Sequence, residues 1–266
     1  LGQSALRYNT TGSYGTAVGA DALKSNTTGS NNTAVGAKSL FSNTTASNNT
    51  AIGFRSMYSN TTGSSNNAIG SYAMYENTTG SYNSAVGQSA LRENTTGASN
   101  TAVGESALTK NTTASNNTAI GARALYVNTT GASNTAVGAS VLRSNTTGAY
   151  NTGLGASALY ANTSGDNNAA FGYYALKNNT TGSNNLALGY QAGYGNETGS
   201  GNVFLGYQAG YSETGSNKLY IGNDSSTNLI TGDFSNGNLS LGQTAGTVSI
   251  LNNFSVAGAA DIDGTL

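Results

Sequence analysis

In 266 residues there is no cysteine, no proline, no histidine and no tryptophan, and only 8% of the chain is charged. Without cysteine or histidine there is no disulfide frame, thiol nucleophile, imidazole base or ordinary zinc site, which removes most catalytic constellations. The chain is therefore read as a non-enzyme with no catalytic residue, no metal and no cofactor. Ten Lys and Arg against eleven Asp and Glu give a net charge of −1, whereas a nucleic-acid binder needs a basic face to displace phosphate counterions. No nucleic-acid partner is expected. No apolar run approaches the roughly 18–20 residues that cross a bilayer, so this segment is not expected to insert in a membrane. The chain opens at Leu1 inside a sequence pattern rather than with Met or a charged leader, and reads as a piece of something longer.

What replaces charge is Asn, Thr, Ser, Ala and 37 Gly, arranged in a repeat. Gly2, Gly19, Gly36, Gly53, Gly70, Gly87, Gly104, Gly121, Gly138, Gly155, Gly172, Gly189 and Gly206 are spaced by 17 without an insertion. Ala34-Val35-Gly36, then Leu40, Asn43-Thr44-Thr45 and Asn49-Thr50 show one unit. Only two columns are large and apolar. One precedes the glycine (Val18, Val35, Ile52, Ile69 and onward to Leu205), and the other follows it by four (Leu6, Leu23, Leu40, Met57 and onward to Leu176). Five residues is an odd spacing, so a single period-2 strand cannot point both inward. Both columns are read as core, and a bend at the glycine, giving two short strands per turn, resolves the conflict. The units lack the i, i+3, i+4, i+7 apolar spacing and the good formers of a helix. Residues 1–211 are read as an all-β, parallel β-solenoid of 17-residue turns stacked about 4.8 Å apart.

Asn26-Thr27-Thr28-Gly29 and its equivalents supply a polar turn, with glycine placed for a left-handed conformation. A second Asn column, Asn32, Asn49, Asn66, Asn83, Asn100, Asn117, Asn134 and Asn151, is expected to stack amide on amide along the rod. With two large side chains per 17 ordered residues, one chain buries little, which favours further burial between chains. The Ala column two before the glycine (Ala34, Ala51, Ala68, Ala85, Ala102, Ala119, Ala136) faces away from the Val column on its strand and is read as the subunit contact.

Asn-Thr-Ala-Val-Gly followed by x-x-Ala-Leu resembles the head repeats of trimeric autotransporter adhesins, the YadA-like β-roll, and related repeats of phage tail fibres. The resemblance covers residues 1 to about 211, with a longer Asn-Thr-Thr-Gly loop than that family's usual unit. It implies a left-handed β-roll, three chains around a common axis, and an extracellular, cell-surface or virion-surface attachment structure contacting cell-surface polysaccharide or another receptor.

At the end of the array Gly193 and Gly210 replace the core Leu, with Tyr190, Tyr194, Tyr207 and Tyr211 beside them, and the next glycine spacing, Gly206 to Gly222, is 16. Residues 212–266 are read as a β-rich cap or neck, with Lys218-Leu219-Tyr220-Ile221, Leu229-Ile230, Asp233-Phe234 and Leu239-Ser240-Leu241 alternating like short strands. This stretch resembles the segment linking a fibre shaft to a self-cleaving chaperone, and cleavage or truncation after Leu266 is the corresponding expectation.

Three surface features are candidates for function. The column five after the glycine contains Arg7, Lys24, Tyr58, Tyr75, Arg92, Tyr126, Arg143 and Tyr160. It suits either sugar binding or a cross-rung ladder covering a subunit seam. Asn9, Asn26, Asn43, Asn60, Asn77, Asn94, Asn111, Asn128, Asn145, Asn162, Asn179 and Asn196 each begin an Asn-x-Thr/Ser acceptor sequence for glycosylation, so a sugar-coated structural filament is one alternative. Columns such as Thr27/Thr44/Thr61 and Thr28/Thr45/Thr62 resemble the threonine arrays of ice-binding solenoids, a second alternative. Asp21, Glu76, Glu93, Glu105, Asp166 and Glu197 are scattered, without a calcium-type repeat or a glycosidase-type pair.

Overall fold

The computed structural model describes residues 2–242. Expectations falling on Leu1 and on 243–266, including the stretch 256–263, lie outside the described residues. Twelve three-residue strands recur once per turn: β1 Thr16–Val18, β2 Thr33–Val35, β3 Thr50–Ile52, β4 Asn67–Ile69, β5 Ser84–Val86, β6 Thr101–Val103, β7 Thr118–Ile120, β8 Thr135–Val137, β9 Thr152–Leu154, β10 Ala169–Phe171, β11 Leu186–Leu188 and β12 Val203–Leu205. Each pairs in parallel with the next at the same phase, Ala34 opposite Ala51 and Val35 opposite Ile52, so strand order follows chain order throughout. The parallel β-solenoid of 17-residue turns is the fold, and no helix occurs among the described residues.

The inside and outside of the strand are reversed from expectation. The Ala column is interior: Ala34, Ala51, Ala68, Ala85, Ala102, Ala119 and Ala136 are all 0% exposed, so it is not a subunit contact. The Val/Ile column faces out, half-buried at Val35, Val137 and Phe171 and reaching 48% exposed at Leu154. The Leu column is interior, with Leu23, Leu40, Met57, Met74 and Leu91 at 0%. The roll is thin, so a strand residue facing a leucine has room only for a methyl group. Val and Leu pointing in opposite directions also removes the parity conflict that calls for a second strand. The structure has one strand per turn.

The remaining fourteen positions form a chain of turns that is hydrogen-bonded from rung to rung. The amide of Leu40 donates to the Ser56 carbonyl at 3.0 Å and that of Ser42 to the Tyr58 carbonyl at 3.0 Å. This path needs left-handed backbone at the leucine itself (φ 51° at Leu23, 47° at Leu40), a conformation costing an ordinary residue about 1–2 kcal/mol. Burial of the leucine and its inter-rung bonds offset that cost at every turn. The repeat glycine has φ of 131° at Gly36 and 134° at Gly53, and a Cβ on Gly53 would lie 2.5 Å from the Gly70 carbonyl oxygen. Gly29, by contrast, is not left-handed; the left-handed residue of that loop is Asn31 (φ 58°), and Gly29 is small because a Cβ would meet the Ala46 oxygen.

Two compensating exchanges show how tightly the cross-section is set. Gly153 replaces the strand Ala where Val141 replaces a turn Ala, and a Cβ on Gly153 would lie 2.4 Å from a Val141 methyl. Phe204 replaces the strand Ala where Gly193 and Gly210 replace the Leu; their Cβ atoms would fall 2.4 and 2.2 Å from its ring, and Phe204 is 0% exposed. Loss of Leu at the array's end is thus a redistribution of core volume.

β13 (Lys218–Gly222) pairs in parallel with β12, Leu219 opposite Val203. The sheet then turns antiparallel through β14 (Asn228–Asp233) and β15 (Asn238–Leu241), at the stretches where sequence alternation predicts strands.

Candidate functional site

Two Asn ladders fill the polar half of the interior. In the first, the Asn43 amide donates to Asn26 Oδ1 at 2.8 Å and to the Ala46 carbonyl at 3.0 Å, and Asn60 repeats this on Asn43 and Gly63. In the second, Asn49 Oδ1 accepts from the Asn66 backbone amide at 2.9 Å while the Asn49 amide reaches the Gly63 carbonyl at 2.9 Å. This second column bridges mainly side chain to backbone, with the expected amide-on-amide contact at rungs such as Asn83–Asn100 (3.2 Å) and Asn151–Asn168 (3.1 Å); in the first column that contact is the rule. Turn carbonyls that burial would leave unsatisfied are thereby paired.

The ladder also decides where the glycosylation candidates lie. Asn26, Asn43, Asn60, Asn77, Asn94, Asn111, Asn128, Asn145, Asn162, Asn179 and Asn196 are at most 1% exposed, with both amide hydrogens of Asn26, Asn94 and Asn162 donated inside the protein. A sugar on any of these nitrogens would have to break the ladder and leave the roll. Only Asn9, in the first turn, is exposed among the twelve. The neighbouring Thr27, Thr44 and Thr61 hydroxyls donate to the next turn's carbonyl at 3.0, 3.2 and 3.1 Å, while Thr28, Thr45 and Thr62 are exposed on the turn beside them.

The stripe five after the glycine is brought together as separate runs of contacts, 24–75, 126–160 and 177–211. Phe41 stacks on Tyr58 (centroids 5.0 Å, 6°) and Tyr58 on Tyr75 (5.3 Å, 17°). The Lys24 ammonium lies 5.4 Å from the Phe41 centroid. Arg143 sits between Tyr126 (5.7 Å) and Tyr160 (5.5 Å) and donates to the Tyr160 hydroxyl at 2.8 Å. Arg92 turns aside to Glu93 at 2.6 Å, and Arg7 lies over Tyr8. These contacts spend the ring faces on one another and on cations, leaving mainly ring edges for solvent. At the last turn the stack ends on Tyr194 and Tyr211 (5.0 Å, 6°).

Two features go beyond the sequence expectations. The outer apolar ladder, Val18 through Leu205, runs unbroken along one sheet face, beside strand-opening residues that are threonine in seven of the twelve strands. The signal for it was present: the strand Ala is nearly invariant from turn to turn, as a packed position must be, while its neighbour varies freely among Val, Ile, Leu and Phe. The second is the junction where the solenoid meets β13. Tyr220 donates its hydroxyl to Glu213 Oε2 at 2.5 Å, and Glu213 Oε1 accepts the amides of Thr214 and Gly215 at 2.9 and 2.6 Å. Burial pushes the Glu213 carboxyl up, but the Tyr220 hydroxyl, the two amides and the nearby Lys218 charge outweigh it and hold the group below its ordinary value. Burial together with the Glu213 charge pushes the Tyr220 phenol up to about 12. Lys218 pairs with Asp233 at 2.7 Å, and this bond, with those from Ser235, lowers the Asp233 carboxyl to about 2.

Beside this junction lies an open cavity of about 300 Å³ lined by Tyr211, Glu213, Ser226, Asn228 and their neighbours. Among the described residues no group of three Asp or Glu side chains is placed to hold a metal ion, and no helix is long and apolar enough to cross a membrane. Comparison with family models, with curated proteins and with solved structures gives no match for this chain.

Proposed function

We propose that this chain is a segment of an extracellular, non-enzymatic attachment fibre, of a phage tail or a bacterial surface adhesin, in which three copies pack through the outer Val/Ile/Leu ladder. The observation that carries this reading is that ladder: nine of its side chains, among them Val18, Ile52, Ile69, Val103 and Leu188, are more than a third exposed in a single copy. A contiguous apolar strip of this kind on one face marks an interaction surface. Each side chain is presented in register by a parallel sheet, so a copy that fits one rung fits all of them. The resemblance of Asn-Thr-Ala-Val-Gly-x-x-Ala-Leu to YadA-like head repeats and phage-fibre repeats supports three-fold association over other stoichiometries. The function is mechanical and multivalent: a rigid solenoid holds repeated weak contacts to cell-surface glycans at fixed spacing, and three copies gain avidity through effective concentration.

The test is the mass of the species in solution. The wild-type chain is expected at about three times 26.6 kDa by native mass spectrometry. Val103→Lys combined with Ile120→Lys is expected to give a folded monomer with unchanged β-sheet circular dichroism. A wild-type monomer, or a trimer indifferent to both lysines, would refute the arrangement; the monomer would favour the ice-binding alternative.

A further inference from the structure

We infer that the cavity at the end of the solenoid is a saccharide subsite, built on the outer face of Tyr211 and selective for a neutral pyranose. The inference rests on the attachment reading and places its glycan contact. Along the stripe, ring faces are spent on neighbours, as in Phe41–Tyr58–Tyr75. Tyr211 differs because the stack stops there: one face lies on Tyr194 at 5.0 Å and 6°, and the residue also lines the cavity of about 300 Å³. Among the described residues no second ring stacks on it and no cation sits over it, and Tyr220 lines the same cavity. That volume is at the small end of ligand sites and suits one sugar ring.

The rest of the lining is the chemistry that reads a polyol. Ser212, Ser225 and Ser226 supply hydroxyls, Asn228 an amide and Glu213 a carboxylate, an array of donors and acceptors lining the same cavity as Tyr211. The wall is already formed. Asp224 accepts the Ser226 amide at 2.7 Å and the Thr227 amide and hydroxyl, and Gly210 cannot bear a side chain because its Cβ would strike Phe204. Selectivity follows from charge: Glu213 is the ionisable carboxylate of the lining, and no Lys or Arg joins it there. Sialic or uronic acid carboxylates therefore meet the Glu213 charge, while the nearby Lys218 is engaged by Asp233.

The experiment is binding of the full chain to immobilised oligosaccharides of neutral hexoses and N-acetylhexosamines, beside sialylated and uronic-acid-containing ones. Neutral sugars are expected to bind. Tyr211→Ala should weaken binding about tenfold or more, Tyr211→Phe should retain it, and Ser226→Trp, which fills the cavity from the loop side, should abolish it with circular dichroism unchanged. Tyr75→Ala should leave binding intact. Preference for acidic sugars, no retained sugar at all, or wild-type binding by Tyr211→Ala and Ser226→Trp would overturn the site. Loss of binding in Tyr75→Ala with a trimeric mass would overturn the site and leave the attachment fibre standing. A monomeric mass with binding still governed by Tyr211 would overturn the trimer and leave the subsite.

Discussion

The turns of β1–β12 and the strands β13–β15 belong to one sheet, yet they are held by different chemistry. In the solenoid the fully buried polar residues are neutral: they are Asn with a few Ser and Thr, and the asparagines bond to copies of themselves one turn away and to turn carbonyls. At the junction the bonds are between unlike partners, Glu213 with Tyr220 and Lys218 with Asp233. A repeat can stack only interactions that tolerate being identical. Like charges every 4.8 Å would repel, whereas an amide is both donor and acceptor and can follow itself indefinitely. Charge in the repeat is confined to single outer pairs such as Lys24–Asp21 and Arg92–Glu93; where the repeat stops, it joins two strands of the sheet.

The largest expected effect comes from interrupting an amide ladder. Asn111 donates to Asn94 Oδ1 at 2.8 Å and to the Ala114 carbonyl at 3.0 Å, and accepts from the Asn128 amide at 3.0 Å. Asn111→Ala strands two buried groups, Asn94 Oδ1 and one Asn128 amide hydrogen, while the Ala114 carbonyl keeps the Asn100 amide at 2.9 Å; at about 1–3 kcal/mol each, a loss on the order of 3 kcal/mol is expected from urea unfolding. Because each turn contacts only its neighbours, hydrogen exchange should show the damage centred on 94–128. Lys218→Ala is the matching substitution at the junction, and it should leave the urea transition of the solenoid where it is. Equal effects of the two would erase the distinction between the regions.

A smaller effect tests the claim that the solenoid interior has fixed volume. Gly153→Ala places a methyl 2.4 Å from Val141, and overpacking of this kind costs about 1–3 kcal/mol. Val141→Ala alone opens a small void, with a loss of similar size. The double variant recreates the Ala/Ala pair of neighbouring turns, such as Ala124 with Ala136, and should be more stable than either single variant, with a coupling of about 0.5–3 kcal/mol. Additive losses would mean that the two positions do not share space.

How much of this could be read from residues alone depends on whether a position repeats. The 17-residue period, the absence of helix and the parallel stacking follow from glycine spacing and composition, because any error of register would be repeated at each turn. The ladders were likewise visible in the Asn columns. The direction of Val35 relative to Ala34 was not, since alternation says only that the two point apart. Size settles it: Leu40 and Ala34 together fill the roll, and Leu40 with Val35 would overfill it. The pairing of Phe204 with Gly193 and Gly210 encoded this in the sequence, as an exchange between the two columns that share the core. The Tyr211 cavity has no repeating counterpart. It depends on how the loop 223–227 closes over the last turn, which no periodicity specifies.

The smallest effect, and the one that separates the two regions most cleanly, is the response to pH. Asp233 titrates at about 2 in the folded chain against an ordinary value of about 3.9. Its contribution is therefore complete above about pH 4 and is lost as pH falls through about 2. Glu213, also held below its ordinary value, acts in the same direction. On the alkaline side Tyr220 is raised to about 12 from about 10, so the neutral phenol is favoured in the folded chain and the junction weakens as pH climbs from about 10 towards 12. The amide and hydroxyl ladders carry no titrating group at either end of this range. NMR shifts of Leu219, Tyr220 and Thr231 should move at both extremes, while Ala85, Ala102 and Ala119 in β5, β6 and β7 stay fixed. Ladder shifts that follow Asp233 would mean that the junction holds the solenoid together. Fixed ladder shifts would mean that the solenoid turns stand on their own, with the junction as a separately titrating attachment.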